Sequence, residues 1–458
     1  MRGVRRDGMK TYGTAARNTP PDGAFASVME VLTPVHASCE CPNCGLFQHI
    51  GRLRPGATAE CERCGALLRR RRRNSLGTTF ALSVASLMLL LIAAFEPVMG
   101  FRFAGQELTT NLVNLPVAFE SQDMPLLAIT VFATTVLVPL VRVLCTATLL
   151  GSLVIKGGRL PHAVLVLLAR LRELLGPWAM LEVFLLGLFV AYTRLAAKST
   201  VTIGIGLYAL GALVVVTAWT DCWIDRHALW EAIGRRRRVV VPQGRAGLLI
   251  GCDCCEKVSR GRVGDACPRC DVPLRERKPQ AVVRCWALLL TAAVLYIPAN
   301  MYPILTLSNL GRGAPSTILG GVEELIEYRM WPLAALVFVA SILVPSLKLL
   351  ALVVLLVSTQ WGSAGRLVDR TRLYRIVEVV GRWSMIDVFM LSVLTALVQM
   401  GVLAKVVPGL GAAAFASVVV LTMLASFSFD PRLMWDAAER RKVPAGARTV
   451  NSADELRA

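Results

Sequence analysis

The 458-residue chain is 55% hydrophobic and 18% charged, with a mean hydropathy of +0.57 and a formal net charge of +19. A soluble protein of this length rarely stays so apolar, whereas eight membrane spans of about 20 residues each would account for the excess. The positive charge fits either nucleic-acid binding by a polar domain or the retention of Arg and Lys in short cytoplasmic loops, and its position along the chain decides between them.

Residues 1–38 are polar, contain Gly and Pro and show no periodicity, so they are expected to form a disordered N-terminal tail without a secretory signal. A zinc ribbon is expected over 39–68. Cys41-Pro-Asn-Cys44-Gly and Cys61-Glu-Arg-Cys64-Gly stand sixteen residues apart, a spacing at which two knuckles close a tetrahedron of four thiolates. A disulfide pair, a redox C-x-x-C and a rubredoxin-like iron site are the competing readings; Cys39 lies outside the pattern. The five arginines Arg69 to Arg73 abut the apolar run Leu76–Phe95, which makes them a topology anchor on the cytoplasmic side.

Further spans are expected at Met124–Ile155, Gly176–Tyr192 and Thr200–Trp223, completing a first transmembrane module over 76–223. The alternation in FRFAGQELTTNLVNL hints at one or two short strands in the first outer segment. Residues 156–175 read as a basic inner loop, and 225–248 as a cytoplasmic linker containing four consecutive arginines. The second half repeats the order. A ribbon is expected over 250–274 with Cys252, Cys255, Cys267 and Cys270 as ligands, Cys254 competing with Cys252 for one position. Spans at Cys285–Pro303, Trp331–Ser358, Gly381–Val402 and Gly411–Phe429 form a second module over 285–429, and 430–458 is a C-terminal tail. The long basic segments all fall on one side. Both termini are therefore expected in the cytoplasm, and the charge speaks against nucleic acid.

The duplication is visible in one phrase, RLRELLGPWAMLEVF at 170–184 and RIVEVVGRWSMIDVF at 375–389. Both copies keep the Arg, Glu, Gly, Trp, Met and Val-Phe positions, and both carry an acid, Glu182 or Asp387, inside an apolar segment. The fold expected is thus an all-α polytopic membrane protein built by tandem duplication. Each half has a cytoplasmic zinc ribbon and a four-helix module, with small β elements in the ribbons and outer loops.

Closed four-thiolate sites have no open position, so two structural zinc ions are expected. The intramembrane charges carry the chemistry. Lys348 lies roughly 15 Å and Asp387 roughly 10 Å from the inner membrane face at 1.5 Å per helical residue. Ser341 and Ser384 share their helix faces, and Thr422 falls at a similar depth. Arg142 and Glu182 are the first-half counterparts. A polar network taking part in transport competes with a purely structural ion pair between helices. No Walker motif, catalytic triad, nucleotide loop or facing histidine pair is present, so no enzyme is expected.

Paired C-x-x-C ribbons each followed by four spans, together with WSMIDVF and VPSLK, resemble the paraquat-inducible protein A family over about residues 39–440. The resemblance implies a bacterial inner-membrane protein that passes phospholipids to or from a periplasmic tunnel protein of MCE domains. It also implies that the second-half network is Ser341, Lys348, Ser384, Asp387 and Thr422. The first half departs from it, with Ala179, Glu182 and Arg142 at the matching places. A membrane anchor for the tunnel without transport activity, or a small-solute carrier, are the alternatives.

Overall fold

The computed structural model describes residues 38–442 apart from 52, 104–105, 116, 118–123, 156–159, 197–199, 237–247, 310–311 and 398–403. The expected N-terminal tail lies almost wholly outside the described residues, as do much of the linker and the end of the C-terminal tail. Each ribbon is built from short antiparallel hairpins: β1 (Ser38–Glu40) with β2 (Phe47–His49), β3 (Thr58–Glu60) with β4 (Leu67–Arg70), and later β8 (Leu248–Gly251) with β9 (Val258–Gly261).

Between the ribbons, the first module runs α1 (Ser75–Phe95), β5 (Met99–Phe103), β6 (Gln106–Thr110) and α2 (Pro125–Val154). It continues through α3 (His162–Leu175), a 3-10 turn Gly176–Trp178, α4 (Leu181–Ala196), β7 (Thr200–Ile203), α5 (Ile205–Trp223) and α6 (Arg226–Arg235). The second module runs in the same order through α7 (Ala281–Met301), β10 (Leu305–Asn309), β11 (Arg312–Ser316), α8 (Ile318–Glu327) and α9 (Trp331–Gln360). It closes with α10 (Leu367–Val380), a 3-10 turn Gly381–Met385, α11 (Ile386–Leu397), β12 (Ala404–Pro408), α12 (Leu410–Ser428) and α13 (Arg432–Lys442). In each module a three-stranded sheet, ordered β6-β5-β7 or β11-β10-β12, joins the hairpin after the first helix to the strand before the last. The strands expected in the first outer segment are therefore present, and one more returns from far along the chain.

Seven stretches among the described residues are long and apolar enough to cross a membrane: α1, α2, His162–Thr193, α5, α7, α9 and α12. The expected span Gly381–Val402 is described only as its 3-10 turn and the 12-residue α11, since 398–403 lie outside the described residues. Residues 162–175 differ from the loop expected there. They form α3 because Leu165, Val166 and Ala169 make one apolar face that packs against Leu229, Trp230 and Ile233 of α6.

The helices are apolar outside and small or polar inside, as helices in lipid are. On α1, Thr79, Ser83, Ser86 and Leu90 are buried while Val84, Met88, Leu91 and Ile92 are exposed. The inward hydroxyls return to their own helix, Thr79 Oγ1 donating to the Ser75 carbonyl at 2.6 Å and Ser86 Oγ to that of Leu82 at 2.9 Å. Both long second helices contain a π turn, Ala133–Leu137 and Val339–Leu343. Its cause is the proline two residues beyond it. Pro139 and Pro345 have no N–H for the carbonyl four residues back, and Val138 and Val344 instead donate to Ala133 and Val339.

The two modules meet where α4 lies on α11, the helices that the ends of the two copies of the repeated phrase open. Phe184 and Phe389 are fully buried and stack edge-on with ring centroids 5.6 Å apart. A Cβ on Gly187 would stand 2.9 Å from Phe389 Cβ, 3.1 Å from the Ile386 carbonyl and 3.2 Å from the Met390 nitrogen. Gly187→Ala should therefore force the modules apart and lower stability by about 1–3 kcal/mol. Gly211→Ala, on α5 with nothing within 4 Å, should be neutral or stabilising by up to about 1 kcal/mol. Thermal unfolding of the two variants in detergent checks the contrast, and equal behaviour would contradict this packing.

Candidate functional site

The sulfurs of Cys41, Cys44, Cys61 and Cys64 lie within 4.8 Å of one another, and so do those of Cys252, Cys255, Cys267 and Cys270; all eight residues are buried. Cys254 stays outside the second set. Sulfurs approach to 3.5 Å in the Cys41–Cys64, Cys44–Cys61 and Cys252–Cys270 pairs and to 3.6 Å in Cys255–Cys267. Disulfide sulfurs stand about 2.05 Å apart. Four sulfurs about 2.3 Å from one ion would stand about 3.8 Å apart. The spacing fits metal tetrahedra, and either group could hold one ion.

Each knuckle is a tight turn whose closing residue is left-handed. Gly45 (φ 71°) and Gly65 (φ 64°) donate their N–H to the Cys41 and Cys61 carbonyls, both at 2.9 Å. In the second ribbon Glu256 (φ 57°) and Asp271 (φ 58°) take that place with the same bonds to Cys252 and Cys267. Side chains outside the knuckles donate to the sulfur cages. Gln48 Nε2 lies 2.8 Å from Cys61 Sγ, and Arg375 Nη2 lies 3.2 Å from the Cys64 carbonyl and 3.5 Å from its sulfur. Arg170 donates to the Cys270 carbonyl in the same way.

These two arginines are the first residues of the repeated phrase, and they expose a crossing. The first ribbon packs against the second module, on Leu352, Tyr374, Val377, Phe429 and Trp435. The second ribbon packs against the first module, on Leu149, Val166, Ala169 and Trp230. Arg63 of the first ribbon also stacks on Trp435, 4.3 Å from the ring centroid. Second-module residues therefore complete the surroundings of the first cysteine cluster. Nothing in the spacing of the cysteines signalled this.

In the membrane region, Ser341, Lys348, Ser384, Asp387 and Thr422 are all buried, at 0%, 4%, 2%, 7% and 2% exposure. Ser341 lies within the π turn of α9, its hydroxyl donating to the Val337 carbonyl at 2.6 Å. Thr135 is its first-half counterpart, donating to Val131 at 2.7 Å; sequence reasoning missed it, although Pro139 and Pro345 align the two. Lys348 reaches the 3-10 turn before α11: a Cβ on Gly381 would stand 2.6 Å from Nζ and 2.9 Å from Cε. Only a residue without a side chain lets the lysine lie there. Lys348 is not in ion-pair contact with Asp387. Ser384, on the same turn, has no hydrogen-bond partner for its Oγ among the described residues. Asp387 and Ser341 instead line a cavity of about 30 Å³ with Ser316, Thr317, Gly321 and Met390, room for one or two waters. Thr422 sits on α12, which packs against the turn, and its hydroxyl donates to Val419 at 3.0 Å.

The first half uses its charges differently. Arg142 Nη2 lies 2.6 and 2.7 Å from the Asp221 carboxylate oxygens, and Arg172 Nη2 joins them at 3.2 Å. Glu182 faces the other module, 3.7 Å from Arg382. Arg142 and Glu182 are thus not brought together. On the ribbon side Arg226 pairs with Glu173 through two bonds of 2.8 and 2.7 Å and with Glu256 at 2.7 Å. Burial pushes the Glu256 carboxyl above its ordinary range, and the Arg226 charge pulls it back.

A multi-pass helical membrane protein with two four-cysteine ribbons and duplicated modules is the class these features define. The sequence profile of the family "Paraquat-inducible protein A" matches residues 76–234 and 282–439, and the chain belongs to that family. It is 35% identical over 402 residues to intermembrane transport protein PqiA of Escherichia coli (strain K12), covering 86% of this chain and 95% of the relative. It is 32% identical over 401 residues to lipophilic envelope-spanning tunnel protein A of the same organism, covering 87% and 91%. A probable intermembrane transport protein of Haemophilus influenzae is 25% identical over 425 residues, covering 90% and 99%. No solved structure matches the chain.

Purified protein should contain about two metal ions per chain by elemental analysis, one for each closed cluster; folded protein free of metal would contradict the site. Arg375→Ala, although in the second half, should weaken retention of the first ribbon's ion about 10–100-fold in chelator competition. Unchanged retention would make the Arg375 contact idle.

Proposed function

We propose that the protein is the inner-membrane component of a trans-envelope lipid transport system, with both termini in the cytoplasm, exchanging phospholipids with a periplasmic MCE-domain tunnel protein. The observation that carries this reading is the match, over nearly their whole length and in both modules, to proteins named for intermembrane transport and to one named as an envelope-spanning tunnel protein. The same reading makes both ribbon metals zinc, the ion that four thiolates at this spacing favour, and gives them a structural role. It contains no catalytic step.

Within this reading the second module carries the coupling. Buried charges in a membrane are costly, at least about 2.5 kcal/mol each at mid-depth, and second-module Lys348, Ser384 and Asp387 gather on one 3-10 turn and the helix it opens. Asp387 borders a water-sized cavity that residues of β10 and β11 also line, and in this reading it exchanges its proton there. Lys348 lies against the same turn at Gly381. Protonation of Asp387 would then alter the turn that Lys348 supports, and with it the α4–α11 contact between the modules. The first module, whose Arg142 and Arg172 are held by Asp221, supplies the fixed side.

Asp387→Asn keeps the volume and removes the titration. It should insert, bind its metals and reach normal levels, yet restore envelope function in a strain lacking the protein at least tenfold less well. Lys348→Ala should fail comparably, and the double variant should be no worse than either single one, as for residues acting as a unit. Full restoration by Asp387→Asn would favour the alternative in which the protein only anchors the tunnel. Orientation is checked separately: a cysteine at Ser308 should label from the periplasm with an impermeant reagent, and one at Ser363 should not.

A further inference from the structure

The two ribbons touch each other as well as the modules, and one guanidinium stands at the junction. β1 ends at Glu40, directly before Cys41, and β8 ends at Gly251, directly before Cys252. Glu40 Oε2 accepts the Gly251 N–H at 3.0 Å, and a Cβ on Gly251 would lie 2.2 Å from that oxygen. Glu40 Oε1 accepts from Arg432 Nη1 at 3.2 Å and from Arg277 Nη1 at 3.4 Å. Arg432 opens α13 and is 5% exposed. Its Nη2 reaches Asp253, the residue after Cys252, at 3.0 Å, while its Nε and Nη2 grip Asp430 at 3.1 Å each. Arg277 is fixed in turn by Asp436, at 2.6 and 2.9 Å. A single buried guanidinium thus holds the neighbour of the first ligand of each metal cluster. Aligning Asp225 with Asp430 puts His227 opposite Arg432, so this junction is built once, in the second half.

We propose that Arg432 is a positioning residue that makes the two metal sites one cooperative unit, so that filling either site raises the affinity of the other. The two cysteine clusters being metal sites is the reading on which this rests. A ribbon of about 30 residues has little core of its own, and metal binding supplies much of its folding free energy. When the first cluster is empty, the turn at Cys41 loosens and Glu40 no longer holds Gly251 or orients Arg432. Asp253 then loses its partner, and the Cys252 turn must be ordered at the expense of ion binding. Linkage makes the effect reciprocal, and couplings of this kind are typically about 5–150-fold. Arg432 supplies the contact through which the coupling passes because its N–H groups reach both ribbons at once and Asp430 fixes its plane.

The test is zinc competition with a chromophoric chelator on the full-length protein in detergent. Wild type should release its two ions in one transition steeper than independent sites allow. With the first site disabled by Cys41→Ser and Cys44→Ser, the second should bind zinc about tenfold more weakly. Arg432→Gln should still bind two ions, but in a transition of independent steepness, and disabling the first site in that background should leave the second unchanged. A role confined to general stability would weaken binding in Arg432→Gln without removing the coupling. If that variant does not fold, Glu40→Gln carries the test, because it keeps an acceptor for Gly251 and loses the charge that meets Arg432. Two ions bound independently in wild type, or a second site indifferent to loss of the first, would overturn the proposal. A protein binding no zinc at all would instead overturn the metal reading beneath it.

Discussion

Each ribbon borrows its hydrophobic floor from the opposite half, and the rest of the ribbon face follows from that constraint. A metal-centred fold of this size buries too little apolar surface to stand alone. The first ribbon rests on Tyr374, Phe429 and Trp435, and the second on Val166, Ala169 and Trp230. Arg375 and Arg170 then have ribbon carbonyls to satisfy, which explains why the repeated phrase begins with arginine in both copies. The charges of the exits follow suit. Arg432, held by Asp430, reaches Glu40 and Asp253 of the two ribbons, and Arg226, held by Glu173, reaches the Cys254 carbonyl and Glu256 of the second. Burial alone would lower the Arg432 pKa, but the hydrogen bond and charge of Asp430, with Asp253 and Glu40, hold it above its ordinary value.

Inside the membrane the duplication has been used asymmetrically. Both halves retain a proline, a π turn and an inward hydroxyl on the second long helix, and both retain a 3-10 turn before the helix that meets the other module. Only the second half leaves its cation without a carboxylate partner among the described residues and places its acid beside a cavity. The first half pairs Arg142 and Arg172 with Asp221 and turns Glu182 toward Arg382. The two modules thus place their buried charges differently, the first on a shared Asp221 and the second around the 3-10 turn that opens α11. The two arrangements meet at the interface of α4 with α11.

Much of this was legible in the sequence, and the reasons are physical. Thiolate spacing is a local property, so both ligand sets could be read from C-x-x-C turns alone, and membrane helices announce themselves by hydropathy. What escaped was whatever depends on partners far along the chain. The helix α3 looked like part of a basic loop because Lys156 and Arg159 precede its short apolar face, Leu165, Val166 and Ala169, and Arg170 and Arg172 follow it. The helix α8 hid among the acids Glu323, Glu324 and Glu327, although Ile318, Val322 and Leu325 form one buried stripe. The depth argument put Lys348 near Asp387, yet depth does not give rotation about a helix axis, and the lysine faces Gly381 instead. The crossing of the ribbons left no local trace, because either module offers the same kind of apolar seat.

The interlocking of the halves is tested most directly by splitting the chain within 237–247 and producing the two parts separately and together. Crossed seating predicts that each half alone is unstable, with a ribbon lacking its floor and a module lacking its cover. Produced together, they should copurify as a one-to-one complex with the metal content of the intact protein. Two halves that each fold, hold their own metal and remain apart would contradict the account.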